Sequence, residues 1–319
     1  MKTRQLGNSD LHITPIGMGT RAISGSNGSS GWKEQDDTAA IAAIRRALDL
    51  GINWIDTAPA YGSGRAEEIV ARALEGGVHR PYIFTTCRLA RQESERESSN
   101  KMRATLLQRE IEGSLRRLQV DVIDLCYIHR PGLDEDSEEG WSTLAALQQE
   151  GKVRSIGVSN FNVGQMRRAL AIVPLTALQV PYSLINRQAE QELFPLCRQE
   201  HIGVTVCSPL QNGLLSGQVT REHLAHLSDN DWRKHDKAFE EPQLSRALAL
   251  VEKLREIAGL YQRTPAEAAI AWTLTNPAVT AATVGMHQPV MVESNIGAAE
   301  FRFTGRELRE IEDLCRASV

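Results

Sequence analysis

Short apolar runs of strand character alternate with amphipathic helical stretches along almost the whole chain, from residue 16 to residue 300. A helix that follows each strand carries the chain back to where the next strand begins, so repetition of the unit lays the strands parallel. Ile16 to Gly19 has strand character. Asp37 to Leu50 then carries Ile41, Ile44 and Leu48 at helical spacing, with Asp36 or Asp37 as N-cap and Gly51 as the stop. Asn53 to Asp56 is the next strand, helix Ala66 to Leu74 ends at Gly76-Gly77, and Tyr82 to Thr86 follows as a strand. Leu107, Ile111, Leu115 and Leu118 mark one face of a long third helix, which leads to strand Val122 to Ile128.

The second half repeats the rhythm, with strands at Val153 to Val158, Ala177 to Val180, Val204 to Cys207 and Ala282 to Val284. Helices are expected at Trp141 to Glu150, Val163 to Ala171, Ala189 to Glu200, Leu244 to Leu260, Pro265 to Thr275 and Pro289 to Ala299. Eight strands in 319 residues suit an α/β fold of the (β/α)8 TIM-barrel type better than a doubly wound sheet, which at this length would divide into smaller units. One domain over residues 1–319 is therefore expected. Thr3 to Thr14, turning at Gly7-Asn8-Ser9-Asp10, reads as an N-terminal β-hairpin closing the bottom of the barrel. Residues 218–242, rich in Asp, His, Arg and Lys, read as a polar insertion or lid after the seventh strand.

Composition narrows the function classes. A net charge of −4 and a pI near 6.1 give no chain-wide positive field to attract nucleic acid or an anionic membrane. Met1 to Asp10 holds no apolar signal core, and no apolar run approaches the roughly 20 residues of a membrane span, so a soluble, cytoplasmic protein is expected. Five cysteines without a CxxC pair argue against a disulfide framework or a thiolate zinc site, and most read as small buried apolar residues. His223, His226 and His235 lack the HExxH spacing of a helical zinc site and read as solvated, so no metal is expected. The acidic run Asp134 to Glu139 reads as an exposed loop and helix start.

In barrels of this kind the chemistry lies at the C-terminal ends of the strands. Strand two ends in Asp56 and leads to Tyr61, and strand four ends in His129. Strand five leads to Ser159-Asn160, strand six to Tyr182 and strand seven to Ser208. An acid, a phenol, an imidazole and polar amide or hydroxyl groups at one mouth suit proton transfer to or from a carbonyl oxygen. Asp56 and Tyr61 could otherwise be a helix cap and a packing aromatic, and His129 a satisfied core residue.

Three separated segments carry a closer likeness: Trp54-Ile55-Asp56-Thr57-Ala58-Pro59-Ala60-Tyr61-Gly62, Ile156-Gly157-Val158-Ser159-Asn160-Phe161 and Ser208 to Gly217. In order and in place at the strand ends, they resemble the signature segments of bacterial aldo-keto reductases. The resemblance implies hydride transfer between NADP or NAD and a carbonyl or alcohol substrate, with Tyr61 as proton donor, His129 beside it and Asp56 in the same catalytic group. It further implies that Ser159, Asn160 and Gln179 hold the nicotinamide carboxamide and that Tyr182 carries the nicotinamide ring. Ser208, Pro209, Leu210, Gly213 and Gly217 would line the pyrophosphate, Gly19 would border the cofactor, and Gly285, His287, Gln288 and Asn295 would meet the adenosine end.

The chain departs from that pattern at three places. Phe84-Thr85-Thr86-Cys87-Arg88 puts Thr86 where the family carries its catalytic lysine, and no lysine occurs between Lys33 and Lys101. Such an ammonium would lower the tyrosine pKa and pair with the Asp. Arg21 and Arg130 stand where related sequences often carry pocket tryptophans, and with Arg88 they are candidates to reach Asp56 or an anionic substrate; Trp32 is a candidate for the pocket border. His287 and Gln288 replace a basic pair that grips the 2′-phosphate of NADPH, so the choice between NADPH and NADH is open. An NAD(P)(H)-dependent oxidoreductase leads, ahead of a redox-neutral lyase or isomerase using the same pocket and a silent nucleotide-binding protein. Substrate identity and homo-oligomerisation are left open by the sequence.

Overall fold

The computed structural model describes residues 1–25, 36–77, 79–88, 100–129, 134–227 and 231–317. Two short strands, β1 (Arg4–Gln5) and β2 (His12–Ile13), pair antiparallel as the N-terminal hairpin. The next eight form a closed parallel barrel in the order β10-β3-β4-β5-β6-β7-β8-β9. They are β3 (Ile16–Gly19), β4 (Trp54–Thr57), β5 (Tyr82–Arg88), β6 (Ile123–His129), β7 (Val153–Ser159), β8 (Ala177–Pro181), β9 (Gly203–Cys207) and β10 (Ala281–Gly285). All eight fall where the apolar runs predict them, displaced by no more than two residues at either end. The reason is that a barrel strand is buried on both faces and must be continuously apolar.

The helices follow the same logic. The first, α1 (Asp37–Asp49), is capped by Asp36, whose side chain accepts from the Thr38 amide. After it come α2 (Arg65–Leu74), α3 (Asn100–Leu118), α4 (Asp134–Gln149), α5 (Val163–Leu170), α6 (Leu193–Gln199), α7 (Arg221–Ala225), α8 (Gln243–Gly259), α9 (Pro265–Thr273), α10 (Pro289–Asn295) and α11 (Gly305–Ala317). Asp134 to Glu139, expected as a loop running into a helix start, is already helical within α4. The helix expected from Ala189 to Glu200 is broken into a 3-10 turn (Gln188–Glu190) and α6, because Pro195 has no N–H for a continuous ladder. The alternation read from the sequence ends before α11, which buries Ile311 after the eighth unit is complete.

Two apolar layers result. The larger lies between the sheet and its helices. The smaller fills the barrel: Trp54, Phe84, Leu125, Tyr127, Ala177 and Ala281 point inward and meet Leu6, Leu11 and Ile13 of the hairpin, which plugs the lower end as expected. Every second strand residue faces inward. Trp54 lies so close over Gly17 that a Cβ there would collide with the indole ring, while the indole N–H donates to the Thr14 carbonyl at 2.9 Å. Residues 218–242 leave the barrel after β9 as α7 and short 3-10 turns, held by a separate cluster of Leu214, Val219, Phe239, Leu244 and Ala247.

Gly17→Ala is therefore expected to lower stability by about 1–3 kcal/mol, seen as a lower denaturant midpoint. Gly259→Ala, with nothing within 4 Å of the added carbon, is the control and should change it by less than ~0.5 kcal/mol.

Candidate active site

Inward alternation leaves one last inward residue at the mouth end of most strands, and the register aligns several of them. Asp56 of β4 is opposite Gly19 and Phe84, His129 of β6 is opposite Arg88 and Ser159, and Ser159 is opposite Gln179 of β8. A continuous hydrogen-bonded chain follows. The Gln179 amide lies 2.6 Å from Asp56 Oδ2, the Ser159 hydroxyl 3.2 Å from Gln179 Oε1, and the Asn160 amide 3.5 Å from Ser159 Oγ and 2.9 Å from His129 Nε2. Asn160 holds its end from a left-handed backbone at φ 59°, a conformation asparagine tolerates better than most side chains.

Asp56 is 3% exposed, and burial raises its carboxyl from 3.8 to about 7 despite the opposing hydrogen bond from Gln179. Its backbone carbonyl accepts from both the amide and the hydroxyl of Thr20, at 3.0 Å each, which ties the end of β4 to that of β3. Among the described residues no cation pairs with Asp56. Thr86 is buried on the neighbouring strand with its hydroxyl unpartnered. Below this layer Tyr127 meets Thr205 at 2.8 Å across the barrel, and burial, reinforced by Asp56, holds the phenol well above its usual range. Tyr61 opens the 3-10 turn Tyr61–Gly64 after β4 and is half-buried, as is His129.

Tyr182, expected to carry the nicotinamide ring, is packed between aromatic neighbours. Its ring is 1% exposed, stacked on Trp272 at 5.3 Å and met edge-on by Phe194 at 5.0 Å. Its hydroxyl donates to Glu190 at 2.5 Å. With both neighbours occupying the ring, it serves the sheet–helix core. The mouth instead presents Cys207, the last residue of β9, which sequence alone does not distinguish from the other four cysteines. Burial and then the charge of Asp56 push its thiol up to about 12, with Arg21 opposing. Inward parity two residues beyond Thr205 is the signal that marks it.

Arg21 is exposed in the 3-10 turn after β3 and makes no ion pair with Asp56. Arg88 ends β5, but its side chain, Trp32 and Arg130 lie outside the described residues. Gly19 ends β3, with Thr283 Cγ2 only 2.9 Å from where a Cβ would stand. Ser208, Gly213 and Gly217 all have positive φ in the segment after β9, and Pro209 and Leu210 lie between them in sequence. Gly285, the last residue of β10, and Gln288 beyond it are exposed, whereas the His287 ring and the buried Asn295 each carry an unpartnered polar atom, Nδ1 and Oδ1. Burial lowers the His287 pKa, so the ring is neutral at pH 7.

Tyr182→Phe should therefore cost about 1–3 kcal/mol in denaturant unfolding through its lost bond to Glu190, while leaving dinucleotide affinity unchanged in calorimetry.

The sequence model of the Aldo/keto reductase family matches residues 15–316. The chain is 33% identical to aldo-keto reductase YhdN of Bacillus subtilis (strain 168), over all of this chain and 95% of that protein. It is 30% identical to an NADH-specific methylglyoxal reductase of Escherichia coli (strain K12), over 99% of each. Among solved structures, the glycerol dehydrogenase AKR11B4 from Gluconobacter oxydans superposes with a TM-score of 0.86 at 30% identity, covering 99% of this chain and 95% of that one. With the barrel, the order of its signature segments and these matches all in agreement, the chain belongs to the aldo/keto reductase family.

Proposed function

We propose that this chain is an NAD(P)(H)-dependent oxidoreductase that reduces a small carbonyl compound or oxidises the corresponding alcohol, with NADH the better-fitting cofactor. The observation that carries the reading is the hydrogen-bonded chain from Asp56 to His129, which joins two expected catalytic residues through the three expected to hold the carboxamide. The residues present fit a dinucleotide. Buried His287 Nδ1 and Asn295 Oδ1 have no partner where the adenosine end would lie. When bound, the dinucleotide supplies or accepts the hydride.

Tyr61 donates its hydroxyl proton to the substrate oxygen in reduction and takes it back in oxidation, while His129 orients that oxygen. Ser159, Asn160 and Gln179 orient the carboxamide. Thr86 cannot replace an ammonium, so the Tyr61 hydroxyl loses the charge that would make it a stronger acid, and slow turnover follows. The preference for NADH rests on charge: residues 285–295 contain no Lys or Arg, His287 is neutral, and Glu293 adds an anion whose partner is Arg46 at 2.8 Å. A 2′-phosphate finds no charge-assisted partner on that segment. The NADH-specific relative is consistent with this choice. Arg21, exposed near Cys207, favours a carbonyl substrate that carries an anionic or oxygen-rich group.

Calorimetry should show NADH binding about tenfold or more tighter than NADPH, with Gln288→Lys narrowing the gap. With methylglyoxal as probe, Tyr61→Phe should lower kcat by about 10²–10⁴-fold without weakening NADH. Binding of neither dinucleotide to the folded protein would overturn the proposal.

A further inference from the structure

We infer that Asp56 works as a neutral carboxylic acid, held in place by Gln179, and that this amide–acid pair stands where the family has an aspartate–lysine ion pair. Three observations converge. The first is the contrast with other buried acids. Glu67 pairs with Arg117, Asp124 with Arg80, Asp231 with Arg233 and Glu267 with Arg263, and Glu307 accepts from both the Tyr261 hydroxyl and the Thr304 amide, whereas Asp56 meets a single side-chain amide among the described residues. An isolated buried carboxylate is strongly disfavoured, and such a group takes up a proton instead.

The second is geometry. Asp56 Oδ2 stands 2.6 Å from the Gln179 amide, a neutral group that can donate to a carboxylate with one end or accept from a carboxylic acid with the other. The two ends of a glutamine amide are assigned by their network, and in the reversed orientation the Gln179 carbonyl faces the acid and can accept its proton. Asp56 Oδ2–H then donates to Gln179 Oε1, and Gln179 Nε2 donates to Ser159 Oγ. The third is the unpartnered Thr86 hydroxyl on the adjacent strand, which brings no charge to a place where a cation would ionise the acid.

Among the described residues, the other groups facing Asp56 leave its charge unbalanced. Tyr127 on β6 and Cys207 on β9 are both held neutral, and Arg21 beyond β3 acts on Cys207 without pairing to Asp56. Tyr61 follows on the same segment, and His129 lies at the far end of the amide chain. A protonated Asp56 adds no negative charge beside Tyr61, so loss of the lysine does not leave an anion opposing phenol ionisation. Only that consequence rests on the reading of Tyr61 as proton donor; the state of Asp56 itself does not.

The test needs neither cofactor nor substrate. Infrared spectra of the unliganded protein at ~pH 6 should contain a carboxylic-acid carbonyl band that shifts with ¹³C-aspartate labelling and is absent from Asp56→Asn. The labelling separates it from Glu67 and survives even if the Asn variant fails to fold. The band should fade as pH rises through about 7. Gln179→Leu should displace its midpoint by about one pH unit, an effect that a purely structural glutamine would not produce, and Thr86→Lys should abolish the band at ~pH 6. A wild-type protein with no aspartate-derived acid band at ~pH 6 would overturn the inference, and would do so whether or not the protein binds NADH.

Discussion

Closure of eight parallel strands on themselves is the constraint from which the rest of this structure follows. A closed sheet has no edge, and strict alternation sends half of each strand's side chains into a space that must be filled. Low in the barrel that space takes Trp54, Phe84 and Tyr127, with Gly17 and Gly157 giving room to the rings and the hairpin sealing the end. Higher up, the inward positions become Asp56, Thr86, His129, Ser159, Gln179 and Cys207. The Tyr127–Thr205 bond marks the boundary between the apolar plug and this polar layer.

The polar layer is unusual for what surrounds its acid. Four other buried carboxylates lie beside guanidinium groups, as with Glu67 and Arg117 at 2.7 Å, where two charges offset each other's desolvation. At the mouth the acid is matched with an amide, and the amides run in sequence from strand to strand until they reach the imidazole. Such a network is satisfied only as a whole, because in low dielectric a single broken member leaves a polar group stranded. Thr86 adds an uncharged hydroxyl to this layer, and the strands that carry it keep their register without a charge there. Here the fold and the chemistry are separable.

The sequence by itself determined the barrel, its single plugged end, and the set of strands whose tips carry Asp56, Tyr61, Ser159, Asn160 and Gln179. Apolar runs, helix periodicity and caps are local properties, and the family's signature segments are written in contiguous residues. The identity of Thr86 and the lack of Lys and Arg in residues 285–295 are likewise visible residue by residue. What only the tertiary structure decided is which polar groups meet. Tyr182 has the look of a mouth residue because it follows a strand, but Trp272, ninety residues later in the chain, closes over its ring. Gln179 and Asp56, 123 residues apart, touch only because barrel closure brings β8 and β4 to face each other across the interior. Protonation follows from burial and from the partner present, and both are fixed by the whole fold rather than by any one segment.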